Sequence, residues 1–189
     1  MVAFSSLALL WAPLAIAATP PPLIVRGSLP DSFGLYAYGT GIGGAPVFYS
    51  DGLAYLGDPR EIGGTVSDFV LFKASDESLV GNQNATSGTP SWSNVTFYVP
   101  TTSASSHQTG FITNSTASSN VSTSGFTFYG GVCMHTDDGA LTTLWYATPT
   151  DTDGVWTLNW NSTDDTTDGQ VIVSLKTKAP SRPAVPPKP

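Results

Sequence analysis

Two residues able to serve as nucleophile and base stand two apart in the run Gly130-Gly131-Val132-Cys133-Met134-His135. The run is apolar and strand-like, and a strand sends positions i and i+2 to one face, so a Cys133 thiol beside a His135 imidazole is a geometrically allowed pair. The competing reading is an inert buried thiol next to a hydrogen-bonded core histidine, with an intermolecular disulfide as a third use of a lone cysteine. The other imidazole, His107, lies in a Ser/Thr-rich stretch, and the chain has no Gly-x-Ser-x-Gly turn to supply a serine nucleophile.

Glycoside hydrolysis needs two carboxylates about 5 to 9 Å apart, one with a raised pKa. Glu61, Asp68, Asp76 and Glu77 are the candidates, but none belongs to an alternating acid-x-acid pattern that would set two on one sheet face. Calcium would take the oxygens of Asp137-Asp138-Gly139, Asp151-Thr152-Asp153-Gly154 or Asp164-Asp165-Thr166-Thr167-Asp168-Gly169. None completes the spacing of a calcium loop, and Asp-Gly pairs are foremost turn formers. Two histidines and one cysteine do not make a closed tetrahedral set, so neither a metal nor another cofactor is expected.

Sugar binding without hydrolysis asks less, since flat rings presented on a sheet can stack on the apolar faces of pyranoses. Trp92, in the polar company of Pro90-Ser91-Trp92-Ser93, is the best candidate for an exposed ring. Trp145 and Tyr146 are neighbours and cannot both point inward from an ordinary strand. One of them faces solvent unless a second layer covers it.

These residues must be positioned by short strands. Apolar or alternating runs recur between Gly, Asp, Asn and Pro at Leu23–Arg26, Phe33–Tyr38, Pro46–Ser50, Leu53–Leu56, Phe69–Lys73, Val95–Val99, Phe111–Thr113, Gly125–Tyr129, Val132–His135, Leu141–Tyr146, Val155–Trp160 and Val171–Lys176. No helix longer than two turns is predicted. Asp51-Gly52 between two apolar runs supplies the positive dihedrals of a tight hairpin turn. A second hairpin is expected between Val155–Trp160 and Val171–Lys176. Strands of this number and length bury one face each by stacking, which predicts an all-β, single-domain, antiparallel two-sheet sandwich or jelly roll.

The ends read differently. Residues 1–17 form an apolar run closing on Ala15-Ile16-Ala17, a signal-peptidase pattern, and are too short and too interrupted by Pro13 to span a bilayer. Residues 18–178 are then the β domain and residues 179–189 an extended, proline-rich basic tail. Export fits the five sequons at Asn84, Asn94, Asn114, Asn120 and Asn161. In Asn94-Val95-Thr96-Phe97-Tyr98-Val99 the alternation turns Val95, Phe97 and Val99 to the core and leaves Asn94 outside, where a glycan would meet solvent. With a single cysteine no internal disulfide can form, so burial alone must hold the fold.

A formal net charge of −7 argues against nucleic acid as a partner. From Leu23 to Leu175 the 14 acidic residues face only Arg26, Arg60 and Lys73, while Lys176, Lys178, Arg182 and Lys188 make the end basic. Solubility and a disordered end account for this asymmetry; the sharper reading is an arm that docks on an anionic wall polymer or on the acidic body of a neighbour.

Phe33-Gly-Leu-Tyr-Ala-Tyr-Gly39, Ile42-Gly-Gly44, Pro46-Val-Phe-Tyr49 and Asp51-Gly-Leu-Ala-Tyr-Leu-Gly-Asp58, followed by Ser124-Gly-Phe126, Leu144-Trp-Tyr146 and Gly154-Val-Trp-Thr-Leu-Asn-Trp160, resemble a group of small secreted β-rich proteins of filamentous ascomycete fungi. The resemblance covers most of the mature chain and implies no catalytic residue. The expectation is a secreted, non-catalytic glycoprotein of the fungal surface or extracellular space. It would act as a structural or interaction protein, with cell-wall polysaccharide or an extracellular protein as partner and no membrane attachment. The alternatives are an extracellular carbohydrate-binding module and, behind it, a glycoside hydrolase.

Overall fold

A computed structural model describes residues 29–62, 66–84, 91–113, 119–161, 163 and 165–181. The predicted leader, the strand at Leu23–Arg26, Asn114 and the end of the tail from Arg182 lie outside the described residues. Fourteen strands and no helix are found among those described. They are β1 (Tyr36–Gly39), β2 (Ile42–Ser50), β3 (Leu53–Leu56), β4 (Ser67–Ser75), β5 (Ser78–Gln83), β6 (Val95–Pro100) and β7 (Gly110–Ile112). Then come β8 (Val121–Ser122), β9 (Phe126–Tyr129), β10 (Val132–Asp137), β11 (Ala140–Thr142), β12 (Trp145–Pro149), β13 (Trp156–Trp160) and β14 (Val171–Lys176).

Tight turns make the local pairs. Asp51 and Gly52 take φ of 48° and 87°, and Ser50 faces Leu53 across the expected two-residue hairpin. Asp76-Glu77 joins β4 to β5 and Asp138-Gly139 joins β10 to β11 in the same manner, each with two positive φ values.

Longer-range pairing then overturns the expected sandwich. The order β1-β2-β4-β5-β6-β7-β3-β13-β12-β14 returns to its start, because β14 pairs with β1 through Tyr36–Lys176, Ala37–Leu175, Tyr38–Ser174 and Gly39–Val173. The result is a closed antiparallel barrel of ten strands, with β2 and β3 also paired to each other and β8 to β11 attached outside the ring. Closure removes the unpaired strand edges that two stacked sheets would keep, and alternation along a strand reads the same in either architecture.

The expected pairing of Val155–Trp160 with Val171–Lys176 is also corrected, since β12 lies between them. β13 pairs with β12 on one edge and β3 on the other, while β14 takes the opposite edge of β12. The long connection after Asn161 lets the chain cross β12 before β14 begins. The predicted strand Leu141–Tyr146 divides into β11 and the start of β12, and β5 and β8 are strands that the sequence reading omits.

One apolar core fills the interior. Phe72, Phe97, Phe111, Trp145 and Trp160 form a continuous chain of ring contacts, ending with Trp145 edge-on to Trp160 at 4.5 Å between centroids. Where the ring of strands closes, Gly39 approaches β14 so tightly that a Cβ would lie 2.5 Å from the Ile172 carbonyl oxygen.

Candidate functional site

His135 is placed by the β9–β10 hairpin, whose turn residues Gly130 and Gly131 have φ of 57° and 79°. Alternation along β10 then turns Cys133 and His135 inward, as expected. The imidazole stands edge-on to Phe126 and Trp160, with centroids 5.1 and 5.2 Å away. Its Nε2 lies 2.9 Å from the Ser124 carbonyl oxygen, which can only accept, so Nε2 carries the proton. Ser122 Oγ is 3.3 Å from the same nitrogen and donates to the Ser124 oxygen at 3.1 Å. The side of the imidazole that meets a hydroxyl is therefore its donor side, and Ser122 has no base there. Burial lowers the His135 pKa, against the Ser124 carbonyl and the negative charge of Asp137, which raise it.

Cys133 is sealed in the core, and desolvation pushes its thiol well above the usual range. A neutral thiol with no access to solvent is neither a nucleophile nor a metal ligand. Its carbonyl accepts the Trp145 indole N–H at 2.9 Å, which ties β10 to β12.

The candidate carboxylates are not gathered. Asp68 is the second residue of β4, whereas Asp76 and Glu77 form the turn beyond its far end, about 25 Å away at the rise of an extended strand. Asp68 accepts from the Phe69 amide at 2.7 Å and from Gln83 Nε2 at 2.8 Å, and Gln83 Oε1 in turn accepts from the Ser91 amide at 2.8 Å. That relay anchors the segment carrying Trp92. Glu61 is exposed in the loop after β3. In the same loop the sequence reading overlooked Asp58, which is buried and grips Arg60 through bonds of 2.5 to 3.0 Å. Among the described residues no three His, Cys, Asp or Glu side chains converge on a metal position.

The aromatic platform is corrected as well. Trp92 is 8% exposed; its ring stacks on Tyr49 at 4.4 Å and leans on Phe111. It belongs to the core and presents no face to a sugar. Trp145 and Tyr146 are both fully buried. Trp145 points into the barrel, while Tyr146 is covered by the connection between β13 and β14, its hydroxyl donating to Asp165 and its ring meeting His107 edge-on at 6.3 Å. This is the second layer that the adjacent pair required. Among the described residues the most exposed aromatic ring is Tyr129, 58% exposed beside the β9–β10 turn.

Of the concave surfaces among the described residues, two lie beside candidate residues. An apolar groove of about 280 Å³ runs between Tyr36, Pro46, Phe69 and Leu71, with Asn84 and Pro180 at its rim. Pro180 sits against Gly44, where a Cβ would be 2.8 Å from the proline ring. The second is a polar cleft of about 250 Å³ where β6 and β8 meet the end of β10, lined by Thr101, Ser122, His135, Asp137, Asp138 and Asn161. Sequence reasoning weighed His135 and the Asp137-Asp138 turn separately. His135 and Asp137 stand two apart on β10; what brings Ser122 and Thr101 beside them is the pairing of Val99 and Pro100 with Ser122 and Val121, which leaves no local pattern.

Of the sequon asparagines, Asn84, Asn94 and Asn120 are exposed and Asn161 is half-buried. Val95, Phe97 and Val99 point into the core, as the alternation predicts. Thr163 Oγ1, from the sequon at Asn161, donates to Asn161 Oδ1 at 2.7 Å.

No family model matches the chain, and no curated protein or solved structure shows significant similarity to it.

Proposed function

We propose that this chain is a secreted, non-catalytic β-barrel glycoprotein of the fungal cell surface or extracellular space, acting as a structural or interaction protein. Wall polysaccharide or another extracellular protein is the partner class. The observation that carries the reading is that three of the four described sequon asparagines, Asn84, Asn94 and Asn120, are exposed on turns or strand flanks, where a glycan would meet solvent. The resemblance to small secreted ascomycete proteins supports the same address. The commitments of Cys133, His135, Asp58 and Asp68 to burial or internal hydrogen bonds support a binding or structural role over turnover.

Expression of the full chain in a filamentous fungus tests it. The expected result is a product in the medium that begins at Ala18 or Thr19 and loses mass with peptide N-glycosidase. Retention inside the cell with Met1 intact and no glycosidase shift would overturn it.

A further inference from the structure

The apolar groove beside β4 is built on the outer face of the barrel. Val70 and Phe72 of β4, Ala37 of β1 and Val47 of β2 belong to the core, so alternation turns Phe69, Leu71, Tyr36 and Pro46 outward. Each of these four is half-buried and lines the groove. Gly34 lines it too, beneath the Tyr36 side chain, since a Cβ there would lie 2.9 Å from the phenol oxygen.

The sequon residue Asn84 stands on the same face. Val70 is opposite Gln83, and the Asn84 amide donates to the Phe69 carbonyl at 2.9 Å, which carries the antiparallel ladder one residue past the end of β5. Asn84 is therefore the cross-strand neighbour of Phe69, with Cβ atoms about 5 Å apart. It is exposed, and of the exposed sequon asparagines among the described residues it alone lines this groove.

The lining selects the occupant. No Asp, Glu, Lys, Arg or His is among the lining residues, so an ionic ligand would lose its hydration without gaining a counter-charge. An N-acetylated pyranose is neutral, and its C–H face and acetyl methyl suit the half-buried rings of Phe69 and Tyr36. A volume of about 280 Å³ is at the small end of ligand-sized cavities and suits one such ring. A weak stack suffices, because a covalent link at Asn84 holds the sugar beside the groove at high effective concentration.

We propose that the groove holds the first N-acetylglucosamine of a glycan on Asn84, packed against the ring of Phe69. The inference rests on the export reading, which supplies the bond. In that reaction the Asn84 carboxamide nitrogen displaces diphosphate from C1 of a lipid-linked oligosaccharide donor and releases a proton.

The test uses the full chain expressed in a filamentous fungus and trimmed by an endoglycosidase that leaves one N-acetylglucosamine on each occupied asparagine. Glycopeptide mass spectrometry reads occupancy, and nuclear Overhauser spectra of the unsubstituted chain read contacts to the Phe69 ring. Asn84 should be occupied and its sugar should contact Phe69. Asn84→Gln should lower the melting temperature by about 2 to 4 °C, the effect of losing one aromatic stack in a domain of this size. That loss should vanish on a Phe69→Leu background, which keeps the apolar bulk without the ring. An unoccupied Asn84 overturns the inference. If Asn94 or Asn120 is then glycosylated, the export reading stands; if the chain stays in the cell without sugar, both fall. An occupied Asn84 with no contact to Phe69, or with an equal effect in both backgrounds, also overturns it. So do contacts from Phe69 to residues 182–189 in place of the sugar, which would give the groove to the tail.

Discussion

The Tyr146 hydroxyl donates to Oδ2 of Asp165, nineteen residues further on, and so fastens the connection between β13 and β14 over the outer face of β12. Burial alone would raise the Asp165 pKa; the bonds from Tyr146 and from the hydroxyl and amide of Thr167 reverse this and hold the carboxyl below its ordinary value. The Tyr146 phenol is pushed up by desolvation first, and then by the same carboxylate. Tyr146→Phe keeps the ring and removes the bond, and it should destabilise the barrel by about 1 to 2 kcal/mol in urea unfolding at pH 7. A group whose folded pKa is depressed contributes stability above its unfolded pKa and loses it as pH falls through the folded value. The gap between wild type and Asp165→Asn should therefore be open at neutral pH and close below about pH 4. A gap that is unchanged at low pH would refute the assignment.

Trp92 supports the core through its stack on Tyr49 and its contact with Phe111. Trp92→Ala should cost about 3 to 5 kcal/mol, the range for removing a large buried ring. Equilibrium denaturation measures it directly. A surface ring would cost only a few tenths.

The contrast between Trp92 and the Asp51-Gly52 turn shows what was legible in the chain. That turn depends on two adjacent residues and their dihedrals, so it can be read locally, and β3 and β14 fall where alternation places them. Trp92 has polar sequence neighbours, but its environment is set by β2 and β7, which are remote in sequence. β5 was missed because its inward positions are Leu79 and Gly81, and a Cβ at Gly81 would lie 2.9 Å from Val70; the core demands the residue that carries no apolar signal. The turn before it, Asp76-Glu77, uses two non-glycine residues at positive φ and so resembles no standard turn pair. Closure of the barrel depends on β1 meeting β14, a pairing across almost the whole domain. The polar cleft depends on β8, two residues long, for its position.

His135 makes a second pH dependence with the opposite chemistry. Desolvation holds its folded pKa below the ordinary 6.5, so the unfolded chain binds a proton first on acidification. Stability contributed by the neutral imidazole is fully present above about pH 6.5 and falls until the folded pKa is reached. His135→Phe, which keeps an aromatic ring between Phe126 and Trp160, should flatten the melting-temperature profile on the acid side of about pH 6.5. An unchanged slope in that window would place the acid sensitivity elsewhere.

The seam between β1 and β14 carries the architecture, and Gly39 is the position that tests it. In a two-sheet sandwich the two strands would be free edges, and an alanine there would change stability by a few tenths of a kcal/mol. In the closed barrel a Cβ at Gly39 lies 2.5 Å from the Ile172 carbonyl oxygen and 2.9 Å from Val173 Cγ1. The first contact is with backbone, which cannot rotate away, so strand separation is the only relief. That separation breaks the register from Tyr36–Lys176 to Gly39–Val173 and exposes the core beneath Ala37 and Leu175. Gly39→Ala should therefore lower stability by about 2 to 4 kcal/mol, as overpacking combined with lost ladder bonds. It should also accelerate amide exchange at Ala37, Gly39 and Val173 more than at β6 and β7 on the far side of the ring. A mild, uniform effect would mean that β1 and β14 do not close the barrel.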